Sequence, residues 1–165
     1  MPTDTGPLFD AEHAAFMQGG ISMNVAGCGA NLAPSVARAL GCLISPQRTS
    51  VRLLVSRGQA AAVLEHVRQS GKLAAVFSEP ATHRTIQLKG EDAVVEPAAP
   101  DDIDTVVRYR AAFVAHLETV GYKPALIYAF LACPASDLCA IGFTPSTAFS
   151  QTPGAAAGQS LRMTP

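Results

Sequence analysis

The chain has 165 residues and a formal net charge of −1 at pH 7, from 12 Lys and Arg against 13 Asp and Glu. This length fits a single domain, and the lack of a basic stripe in the sequence argues against a nucleic-acid partner. No apolar run reaches the ~18 residues of a membrane span, and the N-terminus lacks the pattern of a signal peptide. We therefore expect a cytoplasmic protein that does not enter a membrane.

Hydrophobic residues make up 48% of the chain and charged residues only 15%. This excess of apolar side chains predicts a subunit interface as well as a core, and hence a homodimer. The four cysteines, at positions 28, 42, 133 and 139, are expected to be reduced thiols in the cytoplasm. Cys133 and Cys139 do not have the spacing of zinc ligands, so no metal site is predicted.

The first elements predicted along the chain are a short helix and three strands. Residues 8–18 fit a helix that Asp10 caps and that Gly19 and Gly20 end. The strands are predicted at residues 21–26, 35–44 and 50–55. Because the turns between these strands are short, they indicate an antiparallel meander.

The second of these strands has two unlike faces. Arg38 shares one face with large apolar residues such as Leu40, whereas Ala37 and Ala39 lie on the other face. The face with small side chains would allow a backbone or a planar ring to approach the strand closely. A guanidinium among apolar neighbours needs a counter-charge or solvent. That counter-charge is either a carboxylate of the chain, in a structural ion pair, or a bound anion.

The third strand runs into Ser56 and Arg57, just before a helix predicted at residues 59–69. The free N–H groups and the positive dipole end of a helix favour an anion at this position. Two interpretations stay open. The pair either holds a bound anion, or it is an ordinary serine cap beside a solvated arginine.

A second hairpin is predicted from strands at residues 73–77 and 84–95. In the latter strand, Ile86 and Leu88 point to one side, and the polar side chains of His83, Thr85, Gln87 and Lys89 point to the other. Such a polar face lies against water or lines a polar ligand site. Arg84 begins this strand, so two strands of one small sheet carry arginines, and we expect an anion between them. A phosphorylated cofactor is the first candidate.

The second half of the chain is predicted to hold one long helix and two more strands. The helix, residues 103–120, has one apolar face, formed by Ile103, Val106, Val107, Phe113 or Val114, Leu117 and Val120. Tyr109, Arg110 and His116 are expected at solvated or interface positions. The strands are predicted at residues 125–133 and 138–144. The sequence thus predicts a mainly β fold, with six or seven antiparallel strands in a barrel and helices outside it. Residues 1–149 would form this single domain, and residues 150–165 a flexible C-terminal tail or a strap over a neighbouring subunit.

Residues 21–96 resemble the FMN-binding split-barrel family related to pyridoxamine phosphate oxidase. Four pieces carry the resemblance: the Pro34 turn with Arg38 in the next strand, the strand end at Ser56-Arg57 that begins a helix, the strand end Phe77-Ser-Glu-Pro80, and the run Arg84-Thr-Ile-Gln-Leu-Lys-Gly90. The resemblance implies a homodimer of split barrels that binds flavin mononucleotide (FMN) in grooves between the two chains.

The resemblance also implies roles for individual residues. Arg38 would reach the FMN phosphate or the ribityl chain, and the backbone around Ala39 and Leu40 would follow the isoalloxazine ring. Ser56 and Arg57 would hold the phosphate. Thr85 lies at the polar position that contacts the flavin in the family, and Arg84 and Gln87 are further candidates near it.

The sequence departs from the family at three places, one of which is Thr85, where the family often has a glutamine. The serine and lysine that bind phosphate in the family correspond to Ala60 and Ala61 here, so Arg57 would have to replace them. The tryptophan-containing C-terminal signature that grips the oxidase's product is also missing, since the chain has no Trp. We therefore expect a flavoprotein but not a true pyridoxamine phosphate oxidase.

Two functions follow as alternatives. The first is an FMN-dependent oxidoreductase that acts on a small-molecule substrate, in which the flavin transfers the hydride or electron. His83 is then the candidate proton donor, although a lone histidine on a turn also fits a residue without a catalytic role. The second is a non-catalytic protein on the same scaffold that binds haem or a deazaflavin.

Overall fold

The computed structural model describes residues 6–162, and these form one antiparallel sheet with helices packed around it. The strands are β1 (Ser22–Cys28), β2 (Pro34–Ile44), β3 (Val51–Ser56), β4 (Leu73–Ser78), β5 (Thr85–Gly90), β6 (Val94–Pro97), β7 (Leu138–Phe143) and β8 (Thr147–Ser150). The helices are α1 (Ala11–Met17), α2 (Ala61–Ser70), α3 (Pro100–Glu118) and α4 (Pro124–Phe130), with a short 3₁₀ turn at Ala135–Asp137. The predicted mainly β class is confirmed.

The strands lie in the order β6-β7-β3-β2-β1-β4-β5-β8, and every neighbouring pair is antiparallel. The predicted meander of β1, β2 and β3 is confirmed, as is the second hairpin of β4 and β5. The sheet curls until β5 meets β7. At that contact only a glycine fits, because a Cβ on Gly90 would lie 2.6 Å from the ring of Phe143.

One side of the curled sheet carries the core. In β1, β4 and β5 every second residue is buried, as period-2 alternation requires. Fully buried side chains from five strands include Met23, Val25, Leu53, Val55, Phe77, Leu88 and Ile141. Helix α2 packs Val63, Leu64 and Val67 into the same core.

The predicted strand at residues 84–95 is wrong in one respect, because the chain breaks it into β5 and β6. After Gly90 the chain leaves β4, and Asp92 accepts a hydrogen bond from the Thr144 amide at 2.8 Å. The Ala93 amide donates to the Gly71 carbonyl at 2.9 Å. Strand β6 then pairs with β7, so one continuous run of residues belongs to two distant parts of the sheet.

The predicted strand at residues 125–133 is also wrong, because this segment forms helix α4. Pro124 occupies the first turn, where its missing N–H costs nothing. Ile127 and Leu131 are buried, whereas Leu126 and Phe130 stay about 60% exposed, at 61% and 59%. The two buried residues are four positions apart, and so are the two exposed ones. Residues at this spacing share one face of a helix, so α4 packs on one side only.

Helix α3 is confirmed, and its predicted apolar face is confirmed in part, because Val106, Phe113, Val114 and Leu117 are only 4–8% exposed. Ile103, Val107 and Val120 are 43%, 58% and 42% exposed. Tyr109, which we expected at a solvated or interface position, is only 4% exposed, and its hydroxyl donates to the Ile21 carbonyl at 2.8 Å. The buried face therefore keeps most of the predicted apolar residues, but it includes Tyr109 and leaves Ile103, Val107 and Val120 open to solvent.

Strand β8 was not predicted. It adds to the free edge of β5, with Ala148 opposite Leu88. Residues beyond it fold back, since the Leu161 amide donates to the Ala148 carbonyl at 2.9 Å. Within residues 6–162, no helix combines the length and the apolar character needed to cross a bilayer.

Candidate functional site

A polar surface lies on the outward side of β1, β2, β4 and β5. Ser22 lies opposite Ser78, and Ser78 opposite Thr85. Residues directly opposite one another point to the same side of a sheet. Accordingly, the hydroxyls of Ser78 and Thr85 are 2.9 Å apart and share a hydrogen bond.

The next row of the same side crosses five strands. It contains, in register, Arg38, Asn24, Val76, Gln87 and Phe149. All five side chains are half-buried. We call the six hydrogen-bonding residues of the two rows the polar sheet face: Ser22, Asn24, Arg38, Ser78, Thr85 and Gln87.

Small and cationic residues continue this side of the sheet toward the other end of β1. Ala26 lies opposite both Val36 and Ala74, and Ala74 lies opposite Lys89. A cavity of about 410 Å³ opens here, lined by Lys72 and Lys89 among others. We call it the lysine cavity. The hydroxyl-bearing residues Ser146 and Thr147 also line it.

Arg38 lies at the opposite end of the polar sheet face. Its Nη1 donates to Ser22 Oγ at 3.1 Å, and its guanidinium carbon lies 5.0 Å from the ring centre of Phe130 and 5.9 Å from that of Phe113. Burial raises the pKa of the Tyr109 phenol, and the nearby Arg38 charge opposes that shift. Among the ion pairs of residues 6–162, none involves Arg38.

The second predicted arginine does not join Arg38. Arg84 Nη2 donates to Glu12 Oε1 at 3.0 Å, and its guanidinium carbon lies 4.5 Å from the ring centre of Phe16. These partners belong to α1, whereas the neighbouring Thr85 side chain bonds to Ser78 on the polar sheet face. The expectation that Arg38 and Arg84 share an anion is thus not met by this geometry, because Arg84 already has a carboxylate.

The structure places a carboxylate where the sequence suggested a phosphate. Ser56 is 3% exposed, and its hydroxyl donates to Asp137 and accepts from the Gln59 amide at 3.1 Å. The second oxygen of Asp137 accepts from the Gly58 amide at 3.1 Å. Arg57 is exposed, and its amide donates to the Asp137 carbonyl at 2.7 Å. An anion at this helix start would meet the charge of Asp137, so the geometry favours the structural interpretation of Ser56.

Ala39 and Leu40 are 0% and 2% exposed. The sequence placed Leu40 on the same side as Arg38, but the pairing of β2 with β3 shifts between Ala39 and Gly41. This bulge inserts one residue and turns the Leu40 side chain inward. Contact of a ring with the backbone at these positions stays a prediction.

His83 precedes β5 in a tight turn with a left-handed backbone, φ +62°. Its amide donates to the Glu79 carbonyl at 2.9 Å, and the residue is exposed. The conformation thus serves the turn, and a role for His83 in proton transfer stays a prediction.

A pocket of about 420 Å³ adjoins Arg38 where α3 and α4 pack beside the sheet. Its lining consists of Ser22, Arg38, Pro80, Phe113, Leu117, Tyr122, Leu126, Ile127 and Phe130. We call it the aromatic pocket. Sequence reasoning missed it because four of its residues lie in or next to α4, which was predicted as a strand.

Sequence reasoning also missed Ser22 and Asn24 as members of the site. The signal was present, because Ser22 and Asn24 alternate with the apolar residues Met23 and Val25. Only the register of β1 with β2 and β4 shows that these polar groups lie beside Arg38 and Thr85. Among residues 6–162, no cluster of three or more His, Cys, Asp or Glu could hold a metal ion.

Comparison with solved structures identifies the fold. The chain is similar to HupZ of Group A Streptococcus, with a TM-score of 0.55 and 13% identity over 91% of this chain and 99% of that one. It is similar to an F420 reductase, with a TM-score of 0.51 and 13% identity over 81% and 93%. A putative pyridoxamine 5′-phosphate oxidase from Lactobacillus delbrueckii gives a TM-score of 0.50 and 11% identity over 86% and 93%.

The sequence matches no protein-family model and no curated protein. At 10–13% identity, the structural likeness concerns the fold. The architecture that the resemblance implied is confirmed: this chain has the split-barrel fold of proteins related to pyridoxamine phosphate oxidase.

Proposed function

We propose that the chain is an FMN-binding flavoprotein that acts as an oxidoreductase on a small molecule, with the flavin on the polar sheet face. One observation carries this proposal. Arg38, Asn24 and Gln87 lie in one register row of a half-open sheet surface, next to the Thr85–Ser78 hydroxyl pair. A flavin requires such a surface, with donors and acceptors for its ring edge and ribityl chain.

The residues present fit the group. Side chains of Arg38, Asn24, Thr85 and Gln87 can donate or accept without breaking the sheet, because their backbones are paired and their side chains are half-buried. The phosphate would bind at the lysine cavity, where Lys72 and Lys89 outnumber the single acid Glu91, since Asp137 occupies the Ser56–Arg57 position. When bound, FMN supplies hydride or electron transfer, and these residues hold and orient it.

We also propose that two copies of the chain pair through this surface to form a homodimer. Val36 is 71% exposed beside the small residues Ala26 and Ala74, so this side of the sheet presents apolar area without large protrusions. A second copy would bury that area and enclose the flavin on both sides. Light scattering at micromolar concentration tests this, and the mass of a single chain would contradict it.

The flavin proposal is tested by absorption and titration. Protein isolated without added cofactor should show flavin absorption, or should bind added FMN stoichiometrically after the cofactor is stripped. Replacing Arg38 with alanine removes a charge-assisted contact worth about 1.5–3 kcal/mol, which corresponds to FMN binding that is about 10- to 160-fold weaker.

Arg84→Ala is the matched control, because it removes a guanidinium whose partners are Glu12 and Phe16. Its FMN affinity should stay within about twofold of the parent, since it is not in the proposed site. Equal losses in the two variants would show that the effect is general. Stripped protein that takes up no FMN would end the proposal.

A deazaflavin is the second candidate, supported by the similar fold of an F420 reductase. Titration with FMN and with F420 under the same conditions separates the two. Preference for F420 would reassign the cofactor, and a Soret band in isolated protein would indicate haem.

A further inference from the structure

The aromatic pocket has one charged group among its lining residues, Arg38. The floor comes from Phe113 and Leu117 of α3 and Ile127 of α4, which are only 4%, 8% and 6% exposed. The rim is formed by residues that stay open to solvent, among them Leu126 at 61% and Phe130 at 59%. The cavity is therefore an open apolar cleft with a cation at one side.

The Arg38 guanidinium is preorganised toward this cleft. Ser22 Oγ accepts a hydrogen bond from Nη1 at 3.1 Å, and the ring centres of Phe130 and Phe113 lie 5.0 and 5.9 Å from the guanidinium carbon. A guanidinium presents five N–H donors in a rigid fork that matches a carboxylate. Aromatic rings lower its solvation, and an anion that reached it would be bound in an environment with few competing water molecules.

We infer that the aromatic pocket binds an apolar small molecule that carries one carboxylate. The acid group meets Arg38, and the apolar body lies on Phe113, Leu117 and Ile127. Binding to the pocket does not require a flavin. Identifying this molecule as the substrate does rest on the proposed function, because the pocket adjoins the polar sheet face at Arg38 and Ser22.

The lining decides between a carboxylate and a phosphate. Besides Arg38, the polar side chains at the pocket are the hydroxyls of Ser22 and Tyr122. A phosphomonoester carries a charge near −2 and three acceptor oxygens, so most of its hydrogen bonds would be lost against leucine and phenylalanine. A carboxylate has one charge and fits a single guanidinium. The volume of about 420 Å³ suits a small organic acid rather than a large cofactor.

The test uses 2-naphthoate and its neutral isostere 2-naphthamide as probes on the full chain after any flavin has been removed. The protein has no Trp, so displacement of the fluorescent anion 1-anilinonaphthalene-8-sulfonate can be followed without tryptophan emission. We expect one site per chain and at least ~10-fold tighter binding of 2-naphthoate than of 2-naphthamide. Equal binding of the two probes would overturn the inference.

Two variants and a control locate the site. Arg38→Met replaces the guanidinium with an uncharged, apolar side chain. This variant should lose the preference for the acid over the amide. Leu126→Glu places a negative charge at the rim and should weaken 2-naphthoate binding at least ~10-fold. Val107→Glu is the control, because Val107 is also exposed, at 58%, on α3 but does not line the pocket. An equal loss in V107E and L126E, or unchanged selectivity in R38M, would refute the assignment.

The two proposals fail separately. FMN affinity of Leu126→Glu should fall by much less than its 2-naphthoate affinity, because Leu126 lines the aromatic pocket but is outside the polar sheet face. If naphthoate binds as expected while FMN does not, the pocket stands and the flavin proposal falls. If FMN binds while naphthoate shows no preference over its amide, the pocket inference falls alone. Circular dichroism melting of each variant verifies that it is folded.

Discussion

Replacing Asp102 with alanine would remove a buried carboxylate that joins three elements of the fold. The side chain of Asp102 is 3% exposed, and its Oδ2 accepts from Arg52 Nη2 at 2.8 Å and from the Ala99 amide at 2.7 Å. Arg52 belongs to β3 and also binds Glu96 of β6, while Ala99 is the N-cap of α3. The substitution therefore loosens the start of the longest helix from the sheet.

The magnitude follows from the bonds that are lost. A hydrogen bond to a charged group contributes about 1.5–3 kcal/mol, and a backbone N–H left without its acceptor costs about 1–3 kcal/mol. Arg52 keeps Glu96 as a counter-charge, which places the effect below the 3–5 kcal/mol typical of a fully orphaned buried ion. We expect a loss of about 2–4 kcal/mol at pH 7, or about 4–16 °C in Tm for a chain of this size.

The effect should depend on pH in a defined direction. Burial by itself raises the pKa of Asp102, but the hydrogen bonds from Arg52 and Ala99 outweigh it, and the pKa is lowered in the folded state. A lowered pKa contributes stability that is complete above the unfolded value near 4 and is lost as the pH falls through the folded value. The difference between the parent and D102A should thus shrink below about pH 4.

Urea titrations of the parent, D102A and D104A at several pH values from 7 to 3 measure this. Asp104 is an exposed acid on the same helix and provides the control. A loss under about 1 kcal/mol in D102A at pH 7, or the same loss in D104A, would refute the assignment of Asp102 as a buried anchor.

Three further predictions concern packing and thiol access. Gly20→Ala should destabilise the fold by about 1–3 kcal/mol, because a Cβ at Gly20 would lie 2.5 Å from the Ala112 carbonyl carbon; an unchanged urea midpoint would contradict this contact. Tyr109→Phe should cost about 1–2 kcal/mol, since it removes the donor to the Ile21 carbonyl, and a neutral result would mean that water replaces the hydroxyl. Burial raises the pKa of the Cys42 thiol, so iodoacetamide at pH 8 should modify half-buried Cys28 before Cys42. Peptide mass spectrometry measures the order of labelling, and early labelling of Cys42 would contradict its burial.

The first five strands could be predicted because their signals are local. Apolar and polar residues alternate within β1 and β5, and turn residues separate the segments. The break between β5 and β6 could not be predicted in this way. It accompanies hydrogen bonds between residues that are far apart in the sequence, from the Thr144 amide to Asp92 and from the Ala93 amide to the Gly71 carbonyl.

Helix α4 shows how a short apolar segment misleads. Its seven residues are mostly apolar or aromatic, a composition that also suits a strand. Pro124 at the first position was the helical signal in the sequence, and the buried pair Ile127 and Leu131 is visible only in the structure. A period of four cannot be separated from a period of two in so short a run without knowing which residues are buried.

The buried face of α3 depended on distant partners. Asp102 and Tyr109 are buried because Arg52 and the Ile21 carbonyl, 50 and 88 residues away in the chain, satisfy their polar groups. Hydrophobicity alone ranks Ile103 and Val107 above them as core residues. A polar residue enters a core only when the fold brings its partner, and that information is not local.

Three arginines of the sheet region show that the residues packed beside a side chain determine whether it can bind a ligand. Arg52 binds Asp102 and Glu96, and Arg84 binds Glu12, so the fold itself neutralises both guanidinium groups. Arg38 has instead a serine hydroxyl and two aromatic rings. Rings and a hydroxyl orient a guanidinium but do not cancel its charge. The surrounding residues hold Arg38 in place at the junction of a polar sheet surface and an apolar cleft. Of these three arginines, Arg38 is therefore the one at which a bound anion would gain most.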